Sequence, residues 1–343
     1  NDDFFLVHTN IAAPNYKLIQ IDPAYPDKKS WATIIPQSKD VLESVTTGGG
    51  KLFAIYLQNA TNKIIRLDNQ EFLTDLDALF PITHGPNGED GTLQGVFLQL
   101  DIPFVGPSVL GSAVAMDKDF TKRILRDAGI GHAKGITFYK HEIDNISFDE
   151  TTKELGTTLF IKPCNMGSSV GVSRATNETE FLTALIEAFK FDNKVLVEQA
   201  IFGRELECAV LGNELIEAST VGEIVMQKGF YDFENKYKND NAIITIPANN
   251  LTENQLTKIK ETARKAYHAL ALEGMSRVDV FLTENDDVIV NEPNTLPGFT
   301  SISMYPKLWE NSGLKYADLI EKLINLAIQR HQRDANLQRV RIG

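Results

Sequence analysis

Glu292 and Asn294 stand two residues apart at the end of the stretch "VIVNEPNTLPGFTSISMYP" (288–306). In a strand, residues i and i+2 project from the same face. The stretch opens with Val288, Ile289 and Val290, which read as a buried strand, and passes into prolines, a glycine and several hydroxyls. A carboxylate and an amide side by side at a strand's lip are hard oxygen donors, and the cation they suit is Mg2+. Upstream, Arg277 and Asp279 repeat the spacing in "RVDVFL", and a polar turn from Glu284 to Asp287 separates the two runs. Together they read as a hairpin whose pairing would turn all four side chains into one space. The same pattern also fits an exposed strand face carrying a salt bridge.

Further residues of the same character lie upstream. Lys162 closes the apolar run "TLFIK" and leads into "PCNMGSSVG", where Gly167, Ser168, Ser169 and Gly171 would let backbone N–H groups approach phosphate oxygens. Glu198 ends the run "KVLVEQ", and Glu205 opens the next strand. A carboxylate in such a place, beside a backbone donor and acceptor, can bind a ribose and an adenine edge.

Other motifs fail on their context. "TTGGGK" (46–51) has Val45 and Leu52 where a phosphate-binding P-loop needs Gly and Ser or Thr, so it reads as a turn. "GSSVG" (167–171) matches a nucleophile elbow around Ser169, but "VGVSRA" then alternates like a strand where the elbow needs a helix. Its base would have to be His268 or His331, each inside an amphipathic helical pattern. Neither H-E-x-x-H nor C-x-x-C occurs, which argues against zinc.

The elements that must position these groups follow from periodicity. Helices are predicted over "MDKDFTKRILRDAGI" (116–130), over "NETEFLTALIEAFK" with Asn177 and Glu180 as a cap-like pair, from Thr252 with a Thr252–Gln255 capping box, and over "YADLIEKLINLAIQRHQR". "TLFIKP" and "KVLVEQA" read as strands, and "ALFPITHGPNGEDGTLQGVFLQLDIPFVG" (78–106) as strand, glycine-rich loop, helix and strand. "FFLV" and "YKLIQID" read as strands of an N-terminal α/β unit. Interspersed strands and helices give α/β or α+β modules, bounded near 106 and 198.

Composition narrows the class. The 343 residues are 43% hydrophobic and 23% charged, ordinary globular values, and the length calls for two or three domains. A net charge of −12 argues against a nucleic-acid partner. Two cysteines form no disulfide framework, no apolar run approaches the ~18 residues of a membrane span, and "NDDFFLVHTN" lacks a secretory n-region. The expectation is a cytoplasmic protein.

The ordered set "HGPNGEDGTLQG", "IKPCNMGSSVGV", "EQAIFGRE", "GFYDFENKY", "RVDVFL" and "NEPNTLPGFTSISMYP" resembles the D-alanine–D-alanine ligases of the ATP-grasp superfamily, from about residue 78 to 325. The resemblance implies a three-domain ATP-grasp fold: an N-terminal Rossmann-like α/β substrate domain (1–106), a central subdomain (107–198) and a C-terminal subdomain (199–343) that clasp ATP between them. Two D-alanines would be joined through an acyl phosphate for peptidoglycan synthesis, by a homodimer. It implies further that Lys118 and Lys162 contact ATP phosphates, that Glu198 and the backbone of Ala200 and Ile201 hold adenine, and that Glu205 holds the ribose. Asp279, Glu292 and Asn294 would bind two Mg2+ ions, with Mn2+ as a substitute. Ser168, Lys236 and Tyr237 would lie on loops that close over the substrates, within the stretch 228–242 for the latter two. Arg277 and the Gly298 N–H would stabilise the oxyanion, Ser303 and Met304 would hold the second D-alanine's carboxylate, and His84 would lie near the first D-alanine. In ester-forming relatives a histidine is expected at the Tyr237 position.

The resemblance leaves three rival readings: a relative using D-lactate or D-serine as acceptor, a silent binding protein, and the hydrolase. The intact set Asp279, Glu292 and Asn294 argues against a silent copy. At the N-terminus the family's glycine turn and acidic helix have no room between "FFLVH" and "APNYKL". An extra βα connection of about 10–20 residues, carrying a Glu or Asp for the first D-alanine's ammonium, is expected there. Failing that, Glu89 is the expected partner.

Overall fold

The structure is a computed structural model and describes residues 5–39, 41–48, 51–58, 61–66, 76–226, 242–300 and 303–338. The chain divides into two compact units, Asn1–Leu76 and Asp77–Gly343.

The first unit is built of antiparallel strands. β1 (Phe5–Thr9), β2 (Lys17–Ile21) and β3 (Ala32–Ile35) form one three-stranded sheet; β4 (Val41–Gly48), β5 (Lys51–Gln58) and β6 (Thr61–Arg66) form another. β1 and β2 pair from Phe5↔Ile21 to Thr9↔Lys17, so the two runs read as parts of an α/β unit are the arms of one hairpin. That corrects the expected Rossmann-like start: among the described residues of this unit no α-helix separates the strands. Residues 10–16 close the hairpin, which removes the reason to expect a further helix at that point. The physical cause is local, since β-rich runs this close together pair with each other before a crossover helix can be accommodated. "TTGGGK" falls at the β4–β5 hairpin, with Gly48 opposite Lys51, and not at the start of a helix.

The second unit mixes helices and sheets. It contains α1 (Thr92–Gln99), α2 (Val109–Met116), α3 (Lys118–Asp127), β7 (Gly135–Tyr139), α4 (Phe148–Leu155), β8 (Leu159–Pro163), β9 (Ser173–Ala175), α5 (Glu178–Ala188) and β10 (Lys194–Gln199). There follow β11 (Arg204–Gly212), β12 (Glu217–Met226), β13 (Ala242–Thr245), α6 (Glu253–Ala269), β14 (Gly274–Leu282), β15 (Val288–Asn294), α7 (Met304–Glu310) and α8 (Tyr316–Ala335). Two antiparallel sheets result, ordered β7-β10-β8-β9 and β13-β12-β11-β14-β15. The chain passes from one to the other between Gln199 and Arg204.

Helix starts follow their caps. Asn177 accepts from the Glu180 N–H, and Thr252 and Gln255 form the reciprocal capping box. The smaller sheet buries Leu159, Ile161, Val195 and Val197 against Phe181 and Leu185 of α5. The larger sheet is covered on both faces. Leu206, Cys208, Val210, Val278 and Val280 pack on α6 through Ile259, Ala263 and Tyr267. Ala209, Leu211 and Met275 pack on α7 and α8 through Tyr305, Leu308, Leu319 and Leu323. Among the described residues no helix is long and apolar enough to cross a membrane.

Candidate active site

A β-bulge creates the polar face. β14 and β15 pair as Leu282↔Val288 and Val280↔Val290, then shift register so that Asp279 lies opposite Glu292 and Arg277 opposite Asn294. Strict alternation would have placed Glu292 and Asn294 on the side of Val288 and Val290, which lie in the core under α6. The extra residue, Asn291, moves them to the opposite face, as bulges do. On that face β11 adds Glu207 opposite Asp279, and Glu205 two residues earlier. One end of this face is therefore apolar and packed on α7 and α8, and the other end is charged.

The charges are tightly arranged. Arg277 donates through Nε and Nη2 to the two oxygens of Asp279 (2.7 and 2.8 Å), and Asn294 Nδ2 donates to Asp279 Oδ2 (2.9 Å). Arg277 Nε also lies 3.1 Å from Glu207 Oε2. Burial opposes the guanidinium charge, but Asp279 and then Glu207 outweigh it and raise its affinity for the proton. At Asp279 burial dominates, and with Glu292 and Glu205 nearby it raises the carboxyl above its ordinary range in spite of Arg277. Glu292 is the open member, its side chain 40% exposed, with Lys118 Nζ 3.8 Å away. Lys118 also donates to the Met166 carbonyl (2.6 Å). Asp279 and Glu292 face each other with an exposed oxygen at the edge, donors of the kind a hard cation takes, but among the described residues no three His, Cys, Asp or Glu side chains gather closely enough to hold one.

A second cluster joins the two sheets. Glu198, 3% exposed on β10, receives Lys162 Nζ at 2.6 Å and Lys122 Nζ at 2.8 Å. Burial would raise the Glu198 carboxyl, but Lys122 and Lys162 together hold it down at about 2. Lys122 also donates to the carbonyls of Val290 and Asn291 (3.4 and 3.1 Å), at the bulge itself.

The loops around these clusters come together. Ser168 and Ser169 adopt left-handed φ of 51° and 57°, and a short strand, not a helix, follows. That excludes the nucleophile elbow. Both cysteines are buried, and burial pushes each thiol up to about 12, which leaves them poor nucleophiles. A Cβ placed on Gly167 would lie 4.0 Å from Gly85, so the "GSS" and "HGPNG" loops are neighbours. His84 is exposed on the latter. Glu89 accepts from the N–H of Gly85 (2.7 Å) and of Leu296 (3.2 Å), tying that loop to the segment after β15. There a Cβ on Gly298 would meet Ser303 Oγ at 2.9 Å, and Ser303 begins α7 at Met304. Ala200 donates its N–H to the Thr158 carbonyl (3.1 Å), which leaves its carbonyl as the group it can offer a ligand. Lys236 and Tyr237 lie outside the described residues.

Sequence reasoning singled out neither Lys122, Glu207 nor Asn291 for the site. Lys122 stands one helical turn after Lys118 and Glu207 two residues after Glu205, so same-face spacing was the available signal.

Two antiparallel sheets joined across a lysine–carboxylate cluster, with oxygen donors at one strand end, fit the ATP-grasp fold that the sequence motifs imply. Residues 124–325 match the family model described as D-ala D-ala ligase C-terminus. The D-alanine–D-alanine ligase of Shouchella clausii is 55% identical over 277 residues, covering 80% of this chain and 75% of that protein. The solved D-alanine–D-alanine ligase of Coxiella burnetii superposes with a TM-score of 0.70 at 35% identity, covering 93% of this chain and 84% of its own. The VanG D-Ala:D-Ser ligase of Enterococcus faecalis gives 0.71 at 37% identity, covering 80% of each chain. The chain belongs to the D-alanine–D-alanine ligase family, a family of ATP-dependent enzymes. Residues 1–84 match a different model, the prolyl oligopeptidase N-terminal beta-propeller domain, in agreement with the antiparallel strands found there.

Proposed function

We propose that this protein joins two D-alanines into D-alanyl-D-alanine at the expense of ATP, as a step in peptidoglycan precursor synthesis. The observation that carries the proposal is the charged face formed by Asp279, Glu292, Asn294 and Arg277 beside the lysine cluster. A carboxylate does not react with an amine at neutral pH until it is activated. The γ-phosphoryl group passes to the carboxylate of the first D-alanine, with release of ADP. The amine of the second D-alanine attacks the acyl carbon, the C–O bond to phosphate breaks, and a proton leaves the amine.

The residues divide the work. Lys118 and Lys162 receive phosphate oxygens as point charges. Glu198 and the backbone of Ala200 and Ile201 face adenine, and Glu205 faces the ribose. Asp279, Glu292 and Asn294 provide the oxygens for Mg2+ or Mn2+, two ions in all, which when bound neutralise charge on the transferred group. Arg277 and the Gly298 N–H stabilise the oxyanion. Ser303 and Met304 hold the carboxylate of the second D-alanine, and His84 stands near the first. Glu89 takes the ammonium of the first D-alanine, a role supported by its half-buried position and its anchoring to the segment after β15. Ser168, Lys236 and Tyr237 belong to loops that exclude water from the acyl phosphate.

Use of ATP supports a cytoplasmic enzyme, and the family resemblance supports a homodimer in which 107–198 and 199–343 clasp ATP. Phosphate release measured with ATP and a panel of D-amino and D-hydroxy acids tests the proposal. Release that depends on D-alanine is expected, and release at the same rate with water alone would contradict it.

A further inference from the structure

Glu198 has two lysines where one would neutralise it, and the two differ in what they can do. Lys162 Nζ is 2.6 Å from Glu198 Oε2, yet its side chain is 16% exposed and reaches Asn291 Oδ1 at 3.4 Å, toward the charged face. Lys122 Nζ is 2.8 Å from Glu198 Oε1 and is pinned by the carbonyls of Val290 and Asn291. Lys122 comes from α3, Glu198 from β10 and the two carbonyls from β15, so the ammonium ties three elements together at the bulge.

A buried carboxylate left without a counter-ion is costly. If Lys162 were the sole partner of Glu198, a nucleotide phosphate could take Lys162 only by abandoning that carboxylate. We propose that Lys122 is a positioning residue that keeps Glu198 neutralised and so frees Lys162 to turn to the phosphates of ATP. Lys122 need not touch the nucleotide. Its three oxygen partners hold it beside Glu198 whether or not Lys162 has moved, and Glu198 opposes the loss of its proton that burial favours. The inference rests on the reading of Lys162 as a phosphate ligand.

The test compares affinity for ATP with affinity for adenosine, which shares the base and ribose but has no phosphate. Their ratio isolates the phosphate contribution and cancels changes at the adenine end. In the full-length protein Lys122→Met should lower the ratio by about tenfold or more, because Lys162 is then held by Glu198. The double variant Lys122→Met/Glu198→Gln should bring the ratio back close to that of the unmodified protein, because the buried carboxylate no longer detains Lys162. It also replaces the buried pair with neutral groups of similar shape, so it carries the test if Lys122→Met alone does not fold. Lys162→Met separates the two claims. An unchanged ratio there would overturn the phosphate assignment and the inference with it. A collapsed ratio in Lys162→Met beside an unchanged ratio in Lys122→Met would overturn the inference alone. A ratio that stays low in the double variant would mean that Lys122 attracts phosphate directly, and would also overturn it.

Discussion

Arg277 grips Asp279 through two parallel hydrogen bonds of 2.7 and 2.8 Å while its Nε stands 3.1 Å from Glu207. On the proposed metal-site reading Asp279 would serve a guanidinium and a cation together, and Glu207 shares the first duty. In Glu207→Gln the guanidinium would depend on Asp279 alone and compete with the metal for its oxygens. Phosphate release should fall by about tenfold and require more Mg2+ for half-maximal rate. A titration of rate against Mg2+ checks it, and an unshifted curve in the folded variant would remove Glu207 from the account.

Glu198 gives a pH signature. Its carboxyl is held at about 2 against an ordinary 4.5, so its ion pairs add stability above about pH 4.5 and lose it as pH falls toward 2. Glu198→Gln leaves two buried ammonium groups without their carboxylate and should cost about 3–5 kcal/mol at neutral pH. The gap between the two proteins should narrow as pH falls from about 4.5 toward 2. Denaturant unfolding at a series of pH values measures it, and a gap that widens in acid would contradict the pairing.

Much of the site was legible because its spacing is local. Arg277 with Asp279, and Glu292 with Asn294, announced a shared face, and the hairpin brings them together. The bulge at Asn291 was not legible. Alternation from Val288 carries Glu292 into the core side, and only the paired register shows how the chain avoids that. Spacing puts Lys122 on the face of Lys118 and Glu207 on the face of Glu205, but their partners Glu198 and Arg277 lie far off in sequence, and spacing alone does not name them. The helices with strong caps at Asn177 and Thr252 were read at their true starts. The first unit was misread because short apolar strands look alike whether a helix or a hairpin turn joins them.

Acceptor choice should follow Tyr237. A tyrosine stays neutral to about pH 10 and cannot repel an incoming ammonium as a protonated histidine would. With D-alanine and D-lactate in competition near neutral pH, mass analysis should find the dipeptide in excess. A predominance of the ester would refute this.

Glu292 is the exposed carboxylate of the charged face, so Glu292→Gln should leave the fold intact. ATP turnover should nevertheless drop by about two orders of magnitude or more, because the proposed metal site would lose an anionic ligand without a change of shape. Phosphate release from the folded variant at close to the unmodified rate would overturn the metal assignment.

In the proposed reaction ATP activates one D-alanine as an acyl phosphate and a second D-alanine displaces the phosphate. Incubating the protein with ATP and D-alanine labelled with 18O in its carboxylate tests this in one measurement. D-alanyl-D-alanine and released phosphate are expected in equal amounts, with one 18O from the first D-alanine carried into each phosphate. Dipeptide formed with unlabelled phosphate, or labelled D-alanine recovered without any dipeptide, would contradict it.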